Sequence, residues 1–225
     1  SAHWQTDGTQ VCDAANPETI HDFYGFPKEL FQVQYPAPGS PELADFIANN
    51  LHGLSPDGEQ TSIRKTSQWG LDHGAWSVLI HLFPKANIPV VQLSLDKNLD
   101  GQGHLKLAGR LQSLRSQGFL ILGSGNITHN LGDIDWSQNA QPAKWALSFD
   151  EMIRDALVNN KTDVLTQKSP DTDPQQWRHA HPTLEHFNPL LYVVGASDEM
   201  DQLSFPFSEL ELGTLSMRTV LYANN

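Results

Sequence analysis

Four histidines sit in contexts that could do chemistry: His3 in "SAHW", His73 in "GLDHGAW", His129 in "GSGNITHNLG" and His186 in "HAHPTLEHFNPLLY". Neutral imidazole is the commonest metal ligand and the usual acid–base group near neutral pH. The chain holds ten histidines, and an isolated histidine is more often a surface or hydrogen-bonding residue than a ligand. No H-x-x-x-H or H-E-x-x-H pattern puts two ligands on one helical turn, so a metal site must be assembled from distant segments. His52 and His104 read as exposed helix-terminus residues, and His81 as the edge of a core. His21 lies in the aromatic loop "TIHDFYGFP", of the kind that lines a pocket mouth. His179 and His181 fit metal ligands, donors to such ligands, or plain loop residues.

The flanking residues say more than the histidines themselves. Gly123, Gly125 and Asn126 ahead of His129 allow a backbone to come close to a ligand, or form an ordinary strand-to-loop turn. "DHG" gives His73 a carboxylate neighbour; the plain alternative is that Asp72 or Gly74 caps the helix that follows. Cys12 is the only cysteine. It has no neighbouring cation to activate it, permits no internal disulfide, and fits a reducing compartment.

These residues must be carried by a regular scaffold. "PELADFIANNL" from Pro41 reads as a helix with Pro in its first turn, and "AWSVLIHLF", 75–83, as a short buried helix. The stretch 103–118 is amphipathic and stops at Gly118, and 143–160 is a long helix with Trp145, Phe149, Ile153 and Leu157 on one face. The apolar runs 89–95, 119–125 and 189–197 read as buried strands, 213–222 as a half-buried terminal strand, and 54–68 as an exposed loop. Residues 161–180 read as a surface loop or short helix. Strands separated by helices predict an α/β fold: a single domain over 1–225 with a central, mostly buried β-sheet and helices on both faces. His129 would follow one strand and His186 precede another, and ligands in such folds gather at strand ends.

Composition narrows the function. The net charge is −12 and the 14 basic residues are scattered, which disfavours a nucleic-acid partner. No apolar run is long enough to span a bilayer. A cytoplasmic protein is expected, as a monomer or small homo-oligomer.

The stretches "SAHW", "TIHDFYGFPKELFQVQYPAPGSPELA", "WGLDHGAWSVL", "IPVVQLSL", "GSGNITHNL", "HPTLEHFNPLLYVVGA" and "GTLSMRTV" resemble, in order along almost the whole chain, the class III extradiol ring-cleavage dioxygenases of the LigB-like superfamily. The match is best to the 4,5-DOPA extradiol branch. The resemblance implies a LigB-like fold and a non-haem Fe(II) enzyme that opens a small aromatic diol, a DOPA-like catechol, with O2. Zn(II) is expected as a metal in purified protein, since it outcompetes Fe(II) at nitrogen sites. His3 and His186 are implied as metal ligands, and His129 as the active-site base that also counts as a ligand. His73 is implied as the hydrogen-bond donor to oxygen or substrate. Some branches use a glutamate ligand, but in the DOPA-type branch it is histidine, which favours His186 over Glu185. Leu184 departs from the proline common at that position. Phe23, Tyr24 and Phe26 are candidate pocket aromatics or core residues. The resemblance also implies that a further stretch, with a "GHGSP"-like turn and one more metal-binding histidine, normally precedes "SAHW", so that this chain reads as N-terminally truncated. Two other readings of the same histidines are a zinc-dependent hydrolase and a non-catalytic metal-binding protein of the superfamily.

Overall fold

The computed structural model describes residues 1–137 and 139–224. Backbone contacts group the chain into two compact units, Ser1–Leu99 and Asp100–Asn225.

The first unit is built on two parallel strand pairs. β1 (Gln5–Thr6) pairs with β6 (Leu95–Asp96), and β2 (Gln10–Cys12) with β5 (Arg64–Thr66). Between them the chain forms α1 (Pro41–Asn50), the antiparallel pair β3 (Gly53–Leu54) and β4 (Gln60–Thr61), and α2 (His73–Leu82). α1 starts at Pro41 as the sequence predicts, and α2 starts at His73, two residues before the expected 75, with Asp72 rather than Gly74 as its cap. Ser40 Oγ accepts from Leu43 N at 3.2 Å, with Pro41 in the first turn, and Asp72 Oδ1 accepts from Ala75 N at 3.1 Å. α2 buries Ala75, Trp76 and Leu79, and Trp76 Nε1 donates to Ile20 O at 2.9 Å, which ties the 19–27 loop to the helix. The stretch 54–68 is mostly exposed as expected, but it also supplies β5, whose pairing with β2 left no apolar run to read.

The second unit is mainly helical: α3 (Gly101–Gly109), α4 (Gln112–Arg115), α5 (Lys144–Val158), α6 (Thr162–Leu165), α7 (Pro174–Ala180) and α8 (Asn188–Ala196). Its strands form two antiparallel pairs, β7 (Gln202–Ser204) with β10 (Leu221–Ala223), and β8 (Leu210–Glu211) with β9 (Leu215–Ser216). The core joins the Phe149–Ile153–Leu157 face of α5 to Leu165, Trp177, Phe187 and Leu191.

Helices and strands are both present, as an α/β chain requires. Five segments differ from expectation. Residues 89–95 enter a strand only at Leu95, in β6, and 213–222 is divided between β9 and β10. Residues 189–197 are not a strand but the body of α8. A nine-residue apolar run fits either state, and the decision falls to Pro189 in the first turn and to packing on α3. A Cβ at Gly195 would stand 2.6 Å from both Ala108 Cβ and Leu105 O, so this glycine sets how closely the two helices approach. Residues 119–125 carry no strand pairing among the described residues, and Leu120 is 65% exposed rather than buried. The 103–118 helix breaks into α3 and α4 after Gly109. Two histidines also trade places: His104, expected at the surface, is 1% exposed and lies 3.2 Å from Tyr192 Oη, whereas His81, expected at a core edge, is exposed. No helix among the described residues is long and apolar enough to cross a membrane.

Candidate metal and proton-transfer residues

In the first unit the start of α2 organises the site. Helix N-termini favour carboxylates, and two converge here. Asp72 is fully buried and caps the helix; it also accepts from Ser1 Oγ at 2.6 Å, from Trp69 Nε1 at 3.4 Å and from Gln92 Nε2. Burial works against its charge, but the neighbouring His3, Ser1 and Gln92 outweigh it and hold the carboxyl well below the usual carboxylate range. Asp72 is therefore spent on the helix and on His3, and does not pair with His73 next to it. That role falls to Asp22. Its Oδ1 accepts from His73 N at 2.8 Å and lies 2.9 Å from His73 Nδ1, so the ring proton is on Nδ1.

His3 completes the cluster. Its ring stacks on His73 with centroids 4.0 Å apart and planes 16° from parallel. Its Nδ1 lies 3.7 Å from Asp22 Oδ2 and 3.7 Å from Asp72 Oδ1. Gly74 makes this packing possible: a Cβ there would stand 2.6 Å from Ser1 Oγ and 2.8 Å from His3 Nδ1. One ligand atom each from His3, Asp22 and His73 all lie within 4.8 Å of one another. Two imidazoles and a carboxylate at this spacing fit a divalent transition metal.

The loop that supplies Asp22 also brings aromatics. Phe23 sets its ring edge-on to His73 at 5.4 Å. His21 is bonded to Val33 O at 2.9 Å and packs among Phe23, Phe31 and Trp76. Tyr24 is 92% exposed, and Phe26 is also exposed, so neither is a core residue. Cys12 is buried, its Sγ 3.0 Å from Trp69 O, and burial pushes its thiol pKa up, which suits an inert thiol.

In the second unit His129 and His186 come together. Their rings stack with centroids 3.5 Å apart and planes 4° from parallel. The chain before His129 is stitched to both neighbours: Asn126 N donates to His186 O at 2.8 Å, Asn126 Nδ2 to Ser216 O at 2.9 Å, and His129 N to Ala180 O at 2.9 Å. The glycines ahead of it are there for close approach, since a Cβ at Gly125 would stand 2.1 Å from His186 O and one at Gly123 2.4 Å from Pro189 O. His186 ends the 3-10 turn Leu184–His186, and its Nδ1 lies 3.0 Å from Glu185 Oε1, which also accepts from Thr183 Oγ1 at 2.9 Å. The His186 contact is the main reason the Glu185 carboxyl is lowered to about 2. Glu185 thus orients the His186 ring and fixes its proton on Nδ1, the familiar arrangement behind a metal-ligating histidine.

The structure thus joins His3 to His73 in one unit and His129 to His186 in the other. The residues that sequence reasoning missed are Asp22 as the partner of His73, and Glu185 as the partner rather than the rival of His186. Asp22 left no spacing signal, because it reaches a residue 51 positions away.

The chain matches the family model of the catalytic LigB subunit of aromatic ring-opening dioxygenase over residues 1–216. It is 39% identical over 220 residues to a 4,5-DOPA dioxygenase extradiol of Escherichia coli K12, covering 98% of this chain and 79% of that one. It is 40% identical over 217 residues to a 4,5-DOPA dioxygenase extradiol of Beta vulgaris, covering 96% and 78%. Among solved structures, an uncharacterised Escherichia coli K12 protein superposes with a TM-score of 0.77 at 35% identity, covering 97% of this chain and 82% of its own.

Proposed function

Because this chain belongs to the LigB family and is an extradiol ring-cleavage dioxygenase, we propose that it opens a DOPA-like catechol beside its diol with O2, using ferrous iron. The observation that carries the reading is the His3–Asp22–His73 cluster, two imidazoles and a carboxylate with ligand atoms within 4.8 Å. That donor set matches the two-histidine, one-carboxylate pattern of non-haem Fe(II) oxygenases. When bound, the metal supplies Lewis acidity toward the diol oxygens and a route for electrons from ring to dioxygen.

The chain's own residues do the rest. In the first unit His3 and Asp22 would hold the metal; in the second, His129 and His186 carry the roles that the family resemblance gives them. Anchored at Nδ1 by Asp22, His73 has a fixed ring plane; its Nε2 would complete the donor set as a lone pair, or donate to oxygen or substrate when both ring nitrogens carry protons. His129 takes a proton from the diol as a neutral imidazole, held in its plane by the stack on His186. Phe23, edge-on to His73, supplies an apolar wall for an aromatic ring. The substrate side needs only a small aromatic diol and O2, with no nucleic-acid or membrane partner. A cytoplasmic monomer or small homo-oligomer fits one buried, unpaired cysteine.

The test is anaerobic loading with Fe(II), then oxygen uptake with a panel of catechols that includes DOPA. Uptake matched by a yellow ring-opened semialdehyde is expected. No uptake and no chromophore across the panel overturns the proposal, and so does oxygen-independent hydrolysis by the zinc-loaded protein.

A further inference from the structure

We propose that His181 is a positioning residue that locks the His129–His186 pair in its stacked geometry, an inference that rests on the proton-transfer role proposed above for His129. Nothing in the proposed reaction uses His181, yet it is the most deeply enclosed histidine near that pair, 2% exposed. Its Nε2 lies 2.6 Å from Ile127 O. A carbonyl only accepts, so Nε2 carries the proton and donates. Nδ1 is buried and makes no hydrogen bond among the described residues, which leaves that one donation as the ring's polar anchor.

The anchor is placed where it can control both histidines. Ile127 is two residues before His129, and the residue before His181, Ala180, accepts from His129 N at 2.9 Å. The 127–129 backbone is therefore pinned twice to the 180–181 turn, once by a side chain and once by main chain. On its other side the His181 ring packs edge-on to Phe187 at 5.3 Å, directly after His186, and to Phe149 at 5.8 Å. Phe187, Phe149 and Ile127 all belong to the buried core of this unit. One imidazole thus ties the strand-like segment before His129 and the turn that carries His186 to the same rigid core. Stacking at 3.5 Å between two rings from segments 57 positions apart in sequence needs such a tie, because side-chain geometry at a reactive site is only as fixed as the residues that support it.

The experiment compares His181→Phe, which keeps an aromatic ring but removes the donor, with His181→Gln, whose amide nitrogen reaches the same distance, and His181→Asn, whose donor is too short. Amide hydrogen exchange is read at His129 and at Leu79, buried on α2 in the first unit and outside this core, and kcat and KM are read on the iron-loaded protein. In the Phe and Asn variants exchange at His129 is expected to rise by about tenfold or more with Leu79 unchanged, and kcat to fall about tenfold with KM within about twofold. Gln is expected to restore both. Unchanged exchange at His129 in both Phe and Asn variants, or a rise matched at Leu79, overturns the inference; so does a Gln variant that behaves like Phe. Should the Phe variant fail to fold, the Gln–Asn comparison decides alone. If the wild type turns over no catechol but His129 still loosens selectively, the positioning role stands and the functional reading falls.

Discussion

Asp22 makes two contacts to one residue, the backbone N–H and the ring Nδ1 of His73, while its second oxygen faces His3. Replacing it with Asn keeps the shape but removes the charge and one acceptor. Asp22→Asn is expected to lower metal affinity by at least about 10–100-fold, the range seen when even a carboxylate behind a ligand is lost, as measured by competition with a chelator. Gly74 is a second single-residue dependence. Gly74→Ala would drive a methyl group into His3 Nδ1 and Ser1 Oγ, so iron content after anaerobic loading is expected to fall while α2 keeps its helical signal. Wild-type iron content in this variant would mean that His3 does not ligate from this position. The histidines themselves were legible as chemistry-bearing residues; their carboxylate partners were not. "HDF" and "LEHF" contain Asp22 and Glu185 in plain view, but adjacency in sequence says nothing about which ring a carboxylate reaches.

Elements place these residues through close backbone approach more than through long strands. The segment 123–126 lies against the 186–189 turn because Gly123 and Gly125 have no Cβ to collide with carbonyls. Gly125→Ala is expected to push His186 out of its stack on His129 and to lower kcat, with a stability loss of about 1–3 kcal/mol, the usual result of overfilling a packed contact; urea unfolding and kinetics together check it. Helix α8 shows where periodicity fails. "PLLYVVGA" is apolar throughout, and Pro189 in the first turn together with the packing of Gly195 on Ala108 makes it a helix rather than a strand. The carboxyl end of the chain is held by another element-level device. Arg218 Nε donates to both oxygens of Asp150 on α5, at 3.1 and 3.0 Å, and Ser216 Oγ donates to the same carboxylate at 2.6 Å. Asp150→Ala would leave a buried guanidinium with only Glu151 nearby, and is expected to destabilise the fold by roughly 3–5 kcal/mol, read as a lower midpoint in denaturant.

For the molecule as a whole, acid stability should carry the signature of His181. Burial lowers its pKa from 6.5 to about 4 in the folded protein. The unfolded chain therefore binds this proton first as pH falls, so the His181 contribution is lost between about 6.5 and 4 and is constant below that, where the lowered carboxyls of Glu185 and Asp72 continue the loss. The loss is on the order of 3 kcal/mol, and His181→Phe should flatten this part of the curve. Stability measured by urea unfolding across that window checks it, and an unchanged slope in the variant would rule His181 out as its source. The chain's charge of −12 acts in the same molecule-wide way, through self-repulsion and solubility rather than through the fold.

The sequence by itself determined the helices α1, α2 and α5, with the Pro41 start of α1, the Asp72 cap candidate of α2 and the buried face of α5, and the family to which its ordered motifs belong. These are local properties: apolar spacing, a capping side chain and a proline in the first turn act within a few residues of one another. Tertiary structure alone decided that Asp22 rather than Asp72 serves His73, that His104 is buried and His81 exposed, that 189–197 is helical, and that His129 lies flat on His186. Each of those outcomes depends on chain segments tens of residues apart meeting in one packing arrangement. A side chain's partner is set by that closure and by the backbones that glycines let through, and neither is written in the spacing of neighbouring residues.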